Sequence, residues 1–232
     1  MKSNTYPFLL VVYSLLLAAI CPAQETPCEI AVAALALPGD TNSLLHLRNG
    51  AQTSQPLQLS LRYFSERIKL PGHVFQLFQD PLLGKSTPDK TPPPALLTLN
   101  IPEDAKLAYV VLWAEQKPNQ PLVWRATTFN ANDWPRNCLK LLNACPNALG
   151  IAAGESHQTL LPKTKSMNFP AKDWEASFPV KVYQIDPKPK LVFSSTWRVS
   201  TGQRELCVLF KSGEGIALRA VMERDLKPPT AL

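Results

Sequence analysis

The chain predicts an all-β sandwich, built as one domain or as two packed halves. Three observations carry this. Short runs alternate strictly between apolar and polar residues, as half-buried strands do. Proline is abundant and glycine scarce, 23 and 9 of 232 residues, which suits short strands joined by stiff loops and disfavours long helices. One uninterrupted apolar run, Leu107 to Ala114 (LAYVVLWA), reads as a central strand buried on both faces.

The elements follow in order. Leu45-His46-Leu47-Arg48 and Leu57-Gln58-Leu59-Ser60-Leu61-Arg62 alternate, and Val74 to Phe78 is a short apolar strand. Pro81 to Pro94 ends in Thr91-Pro92-Pro93-Pro94; successive prolines cannot donate to a sheet, so this is a surface crossing or linker. Leu96 to Ile101, Leu107 to Ala114 and Leu122 to Phe129 are the next strands. Asn132-Asp133-Trp134-Pro135 has the chemistry of a helix start. Cys138 to Leu142 nevertheless reads better as a strand running into a turn, because both flanks are β. Phe178 to Ile185 alternates. Leu191 to Val199 and Arg204 to Lys211 flank Ser200-Thr201-Gly202-Gln203, a hairpin signal because Gly202 can supply positive φ. Ile216 to Glu223 is the last strand, after the Gly213-Glu214-Gly215 turn. The linker at Pro94 divides an N-terminal β half (24–94) from a C-terminal sandwich half (95–226), with a tail at 227–232.

Two echoes hint at internal repetition. Phe129 to Trp134 and Phe169 to Trp174 share the pattern F-x-A-x-D-W. Leu47-Arg48-Asn49 with Leu70-Pro71 loosely parallels Leu142-Asn143 with Leu161-Pro162. A duplicated β unit would produce both, and so would chance, since no third copy occurs.

The N-terminus reads as an export signal at 1–23. Lys2 precedes an apolar run from Phe8 to Ile20, and Cys21-Pro22-Ala23 offers small residues for cleavage before Gln24. The run is too short to span a bilayer. Lipidation at Cys21 is the rival, but a bulky Ile20 suits that processing poorly. Without the signal no transmembrane helix is expected. The strands are too short and too broken by proline for a transmembrane barrel. The expected location is secreted or periplasmic.

Net charge is +6. Its densest cluster, Lys188-Pro189-Lys190 beside Lys181, is either a solvated basic surface or an attraction for an anionic polymer or membrane. No nucleic-acid motif occurs. Beyond Cys21, the four cysteines Cys28, Cys138, Cys145 and Cys207 form an even set, which permits disulfides in an exported chain and allows three pairings. At least one disulfide is expected. Cys138 and Cys207 are the first pair to test, since both lie in strand patterns of the second half.

Catalytic chemistry is sparse. His46, His73 and His157 lack metal-ligand spacing to one another or to a cysteine, so neither metal nor cofactor is expected. Ser156 and His157 are adjacent, but Gln158 breaks the nucleophile-elbow pattern and neighbouring strand residues face opposite ways; a turn is the better reading. Cys207 sits in a predicted sheet interior, where thiols are inert or bridged. The aromatic lead is Trp134 with Asp133 and Trp174 with Asp173. Each indole could stack on a sugar or peptide while the aspartate bonds a hydroxyl or amide; alternatively each plugs an end of the sandwich, and the plug is the reading preferred. Trp113, Trp124 and Trp197 lie in strand patterns and read as core.

The export signal at 1–23, with the strand pattern and Asn turns of Leu142 to Met222, resembles uncharacterised bacterial envelope proteins built as β-sandwiches. That resemblance implies an immunoglobulin-like fold and assigns no activity. The expected function is a non-catalytic structural or binding role at the cell envelope, toward a protein or a glycan. The alternative is a hydrolase acting on an envelope polymer, which would need a deep pocket with converging carboxylates or a histidine.

Overall fold

The computed structural model describes residues 27–37, 44–49, 54–80, 94–115, 121–154, 157–162, 165–170, 177–185, 188–198, 202–212 and 215–223. Among these residues strands dominate, with a single 3-10 turn at Ala131–Asp133.

The first eight strands make two sheets. One has the order β4 (Ile68–Leu70), β1 (Cys28–Ala36), β7 (Leu107–Glu115), β8 (Val123–Asn130). The other is β3 (Gln55–Gln58), β2 (Leu44–Arg48), β5 (Val74–Phe78), β6 (Leu97–Asn100). The next eight repeat this plan strand for strand. One sheet is β12 (Ser166–Pro170), β9 (Cys138–Asn143), β15 (Arg204–Ser212), β16 (Gly215–Met222). Its mate is β11 (His157–Leu161), β10 (Leu149–Ala153), β13 (Phe178–Gln184), β14 (Lys190–Trp197). Adding eight to each strand number of the first pair of sheets gives the second pair. The two parallel pairings repeat as well, β1 with β7 and β9 with β15. Register repeats too. Ile30 lies between Ile68 and Ala108, and Leu141 lies between Met167 and Cys207. Leu45 faces Leu57 as Leu149 faces Leu161.

Each half is therefore a two-sheet sandwich with its own apolar filling. Ile30, Val32, Leu45, Phe75 and Val110 fill the first; Leu141, Ile151, Val180, Cys207 and Leu209 fill the second. A third core joins the halves. Ala31, Ala33, Tyr109 and Val111 from one sheet meet Cys138, Leu142, Leu206 and Val208 from the other. Hence β1, β7, β9 and β15 are buried on both faces and the molecule has four layers of sheet. Within each sandwich β2-type strands pair with the third and fifth strands, where the second strand of an immunoglobulin domain pairs with the first and fifth. The likeness to that fold is one of architecture, two face-packed sheets, rather than of strand order.

Three expectations are corrected. The halves do not divide near Pro94: β6, β7 and β8 belong with the first half, and the chain passes between sandwiches at residues 131–137. The proline segment 81–93 lies outside the described residues; it connects β5 to β6, which are neighbours in one sheet. β14 and β15 do not form the expected hairpin, because they lie in different sheets; Gly202 does adopt positive φ, at 82°. The C-terminal hairpin is β15–β16, with Ser212 opposite Gly215.

The disulfide expectation fails on geometry, and Cys28, Cys138, Cys145 and Cys207 are all free and buried. Cys138 pairs in register with Arg204, whereas Cys207 pairs with Leu141. Three residues of offset is about 10 Å along a strand, beyond the ~7 Å that a bridge tolerates. The two side chains also face opposite ways, Cys138 into the shared core and Cys207 into the second sandwich. Cys28 lies in the first sandwich and donates to the Gly72 carbonyl at 3.2 Å.

Candidate functional site

The seam between the two middle sheets has two contrasting ends. Where the chain crosses from β8 to β9, the end is sealed. Asn130 caps the 3-10 turn, its side-chain oxygen accepting from the Asn132 amide at 3.0 Å. That turn directs Trp134 inward, where it is 0% exposed. The indole meets Phe64, Tyr109 and Phe129 edge-on at 6.1, 5.1 and 6.0 Å, and its Nε1 donates to the Cys138 carbonyl at 3.1 Å. Trp134 is therefore a plug between the sandwiches, with no face left for a ligand. Asp133 is exposed beside it, and its backbone carbonyl accepts from Asn168 at 2.9 Å. Trp174 and Asp173 lie outside the described residues.

Ionic groups surround the plug. Arg204 donates through Nε to the Trp134 carbonyl, and its Nη1 lies 3.2 Å from the Tyr109 hydroxyl and 3.5 Å from Glu223. Glu223 also accepts from Tyr109 and, at 3.2 Å, from Arg67. Burial, then the bond to the Glu223 carboxylate, holds the Tyr109 phenol protonated well above its usual range. Lys140 is 5% exposed. Its ammonium sits over the Phe129 and Trp134 rings at 5.4 and 5.9 Å, and burial lowers its pKa. These groups knit the two halves together, since Tyr109 and Arg67 come from the first and Arg204 and Glu223 from the second.

The opposite end of the seam is open. The two middle sheets part there around a cleft of about 660 Å³. Its walls are Leu35, Trp113 and Ala126 from the first half and Leu142, Cys145 and Phe210 from the second, with Arg125 and Lys211 supplying positive charge. Trp113 and Arg125 stand opposite each other in the β7–β8 register. Arg219 closes one flank, reaching the Leu35 carbonyl and lying 6.0 Å from the Phe210 ring centre. Asn143 shapes the floor. It is 0% exposed, with its amide donating to Asn147 and Leu161 carbonyls at 2.9 and 3.0 Å and its oxygen accepting from the Cys145 amide at 2.9 Å.

Chemically the cleft offers apolar contact, an indole and two cations. Among the described lining residues there is neither a carboxylate nor an imidazole. No cluster of potential metal ligands occurs among the described residues. His157 opens β11, opposite Ala153, and Ser156 lies outside the described residues.

Sequence reasoning placed Trp113 in the core and passed over Arg125, Phe210 and Lys211. No motif marks these four. They converge only through the strand pairing, and the packing of one half on the other could not be read from the chain. No family model matches the chain, and no curated protein matches it significantly.

Proposed function

We propose that this is an exported, non-catalytic binding protein of the cell envelope, and that its ligand occupies the cleft at the open end of the seam. The observation that carries this reading is the lining itself. A half-open apolar cleft with Trp113, Arg125 and Lys211 at its walls has the make-up of a recognition site, in which apolar area gives affinity and a few charges give orientation. The hydrolase alternative gains nothing from it, because general acid–base chemistry on a polymer needs paired carboxylates or a histidine beside the bond. Export fits the sequence at 1–23, and the mature chain would begin at Gln24.

The experiment is retention of the purified protein on its native envelope fraction. Phe210→Ala and Lys211→Glu should abolish retention while leaving the melting temperature within about 3 °C. Leu160→Asp, on the outer face of β11 where Leu160 is 54% exposed, should bind like the parent. Equal loss in all three variants, or none, would refute the assignment of the cleft.

A further inference from the structure

We infer that the cleft holds a single-chain anionic lipid, with its hydrocarbon against the floor and its head group at the mouth beside Lys211; this rests on the cleft being the binding site. The first observation is what the floor withholds. Residues 143–146 offer a ligand no main-chain donor. The backbone amide of Asn143 donates to the Lys165 carbonyl at 3.0 Å, that of Ala144 to the Leu209 carbonyl at 2.8 Å, and that of Cys145 to the Asn143 side-chain oxygen at 2.9 Å. Pro146 has no amide proton to give. The Asn143 side-chain amide is likewise spent on Asn147 and Leu161. Burial pushes the Cys145 thiol up to about 11, so it stays neutral, and a buried thiol behaves as a small apolar group. The strand residues of the walls are paired across their sheets, Trp113 with Arg125, Phe210 with Ala217 and Lys211 with Ile216.

The second observation is the lining and its size. Trp113, Leu142 and Phe210 supply apolar surface, and Ala36, Ala114 and Ala144 are small enough to leave room between the sheets. At about the volume of one water per methylene, roughly 30 Å³, a cleft of about 660 Å³ holds about twenty such groups. A linear acyl chain fits that space and asks for no hydrogen bond. A peptide or a glycan brings a polar group at every residue or at most carbons. Each one buried on this floor without a partner weakens binding about fivefold or more. Charge then sets the orientation. Arg125 is already engaged within the protein. Lys211 lines the cleft and is exposed, so an anionic head group gains by standing beside it while staying in water.

The test is isothermal titration calorimetry on the intact protein with a series of linear alkyl carboxylates, from about eight to about sixteen carbons, each kept below its micelle concentration. The same chains with a trimethylammonium head, and a polygalacturonate fragment, are the comparison probes. Saturable one-to-one binding of the carboxylates is expected, tightening by up to about fourfold per added methylene, the worth of burying one. The trimethylammonium series should bind more weakly. Lys211→Glu should remove the carboxylate's advantage and leave the gain per methylene unchanged. Ala144→Phe, which takes room from the floor, should weaken the longest chain more than the shortest. Absence of saturable binding at every length, an affinity indifferent to length, a trimethylammonium head preferred by the parent protein, or tighter binding of polygalacturonate would each overturn the inference. Any of these with cleft-dependent envelope retention intact would show that the site is right and the ligand class wrong. Envelope retention indifferent to both Phe210→Ala and Lys211→Glu would remove the site itself.

Discussion

Trp134→Ala should destabilise the protein more than other single substitutions on the seam. The indole is fully buried, meets three aromatic rings edge-on, and donates its Nε1 proton to the Cys138 carbonyl at 3.1 Å. Truncating a buried tryptophan costs about 3–5 kcal/mol through lost transfer energy and the cavity left behind. Here the upper end applies, because the surrounding groups belong to two sandwiches and cannot collapse without sliding one on the other. In a chain of this size about 5 kcal/mol lowers the melting temperature by roughly 10–20 °C. Trp134→Phe keeps most ring contacts and loses the hydrogen bond, for about 1–2 kcal/mol. Urea denaturation followed by circular dichroism measures both. A Trp134→Ala protein within about 0.5 kcal/mol of the parent would behave as an exposed substitution does, and would refute the plug.

Other outcomes follow from the same structure. Denatured, unreduced protein should label at Cys28, Cys138, Cys145 and Cys207, while the native protein should resist labelling because all four thiols are buried; protection of any of the four after denaturation would restore the disulfide. Burial pushes the Cys145 thiol from 9.0 up to about 11. The unfolded thiol ionises first, so its contribution to stability is intact below about pH 9 and is lost as pH rises toward 11. Under reductant, Cys145→Ala should flatten that decline. Lys140→Met should be neutral or stabilise by about 1 kcal/mol, because the ammonium is buried and its hydrogen-bond partner among the described residues is the Asp133 carbonyl at 3.4 Å, beside two rings. Glu223→Ala should cost about 2–3 kcal/mol, since it removes the shared partner of Tyr109, Arg204 and Arg67. Mass spectrometry of the native protein should show a mature chain beginning at Gln24.

Local structure was largely legible in the sequence. Leu107 to Ala114 is buried on both faces, as an uninterrupted apolar run should be, and Cys138 to Leu142 is strand. One central strand was not legible. Cys28–Ala36 carries four alanines in nine residues with a single Val and Ile, so little in it favours strand over helix, and its burial between two sheets makes it β1. Long-range pairing was less legible still. Ser200 to Gln203 looked like a hairpin because turn chemistry is local, whereas the sheet a strand joins depends on distant partners. The repeat is real in strand order, yet the echoes that hinted at it are not its equivalent positions. Phe129 lies in β8 and Phe169 in β12, whose counterpart is β4. Strand order survives wherever alternation and core volume survive, and neither demands particular residues. The cleft was illegible for the same reason: Trp113, Arg125, Phe210 and Lys211 come from three strands in two halves.

Hydrogen–deuterium exchange with and without the native envelope extract locates the contact without any substitution. A ligand seated in the cleft should give new protection in 123–130, at the ends of β7 and β15 near Trp113 and Phe210, and in 142–146. Protection confined to the outer sheet that carries Leu160 and Leu191, or no change along the seam, would contradict it.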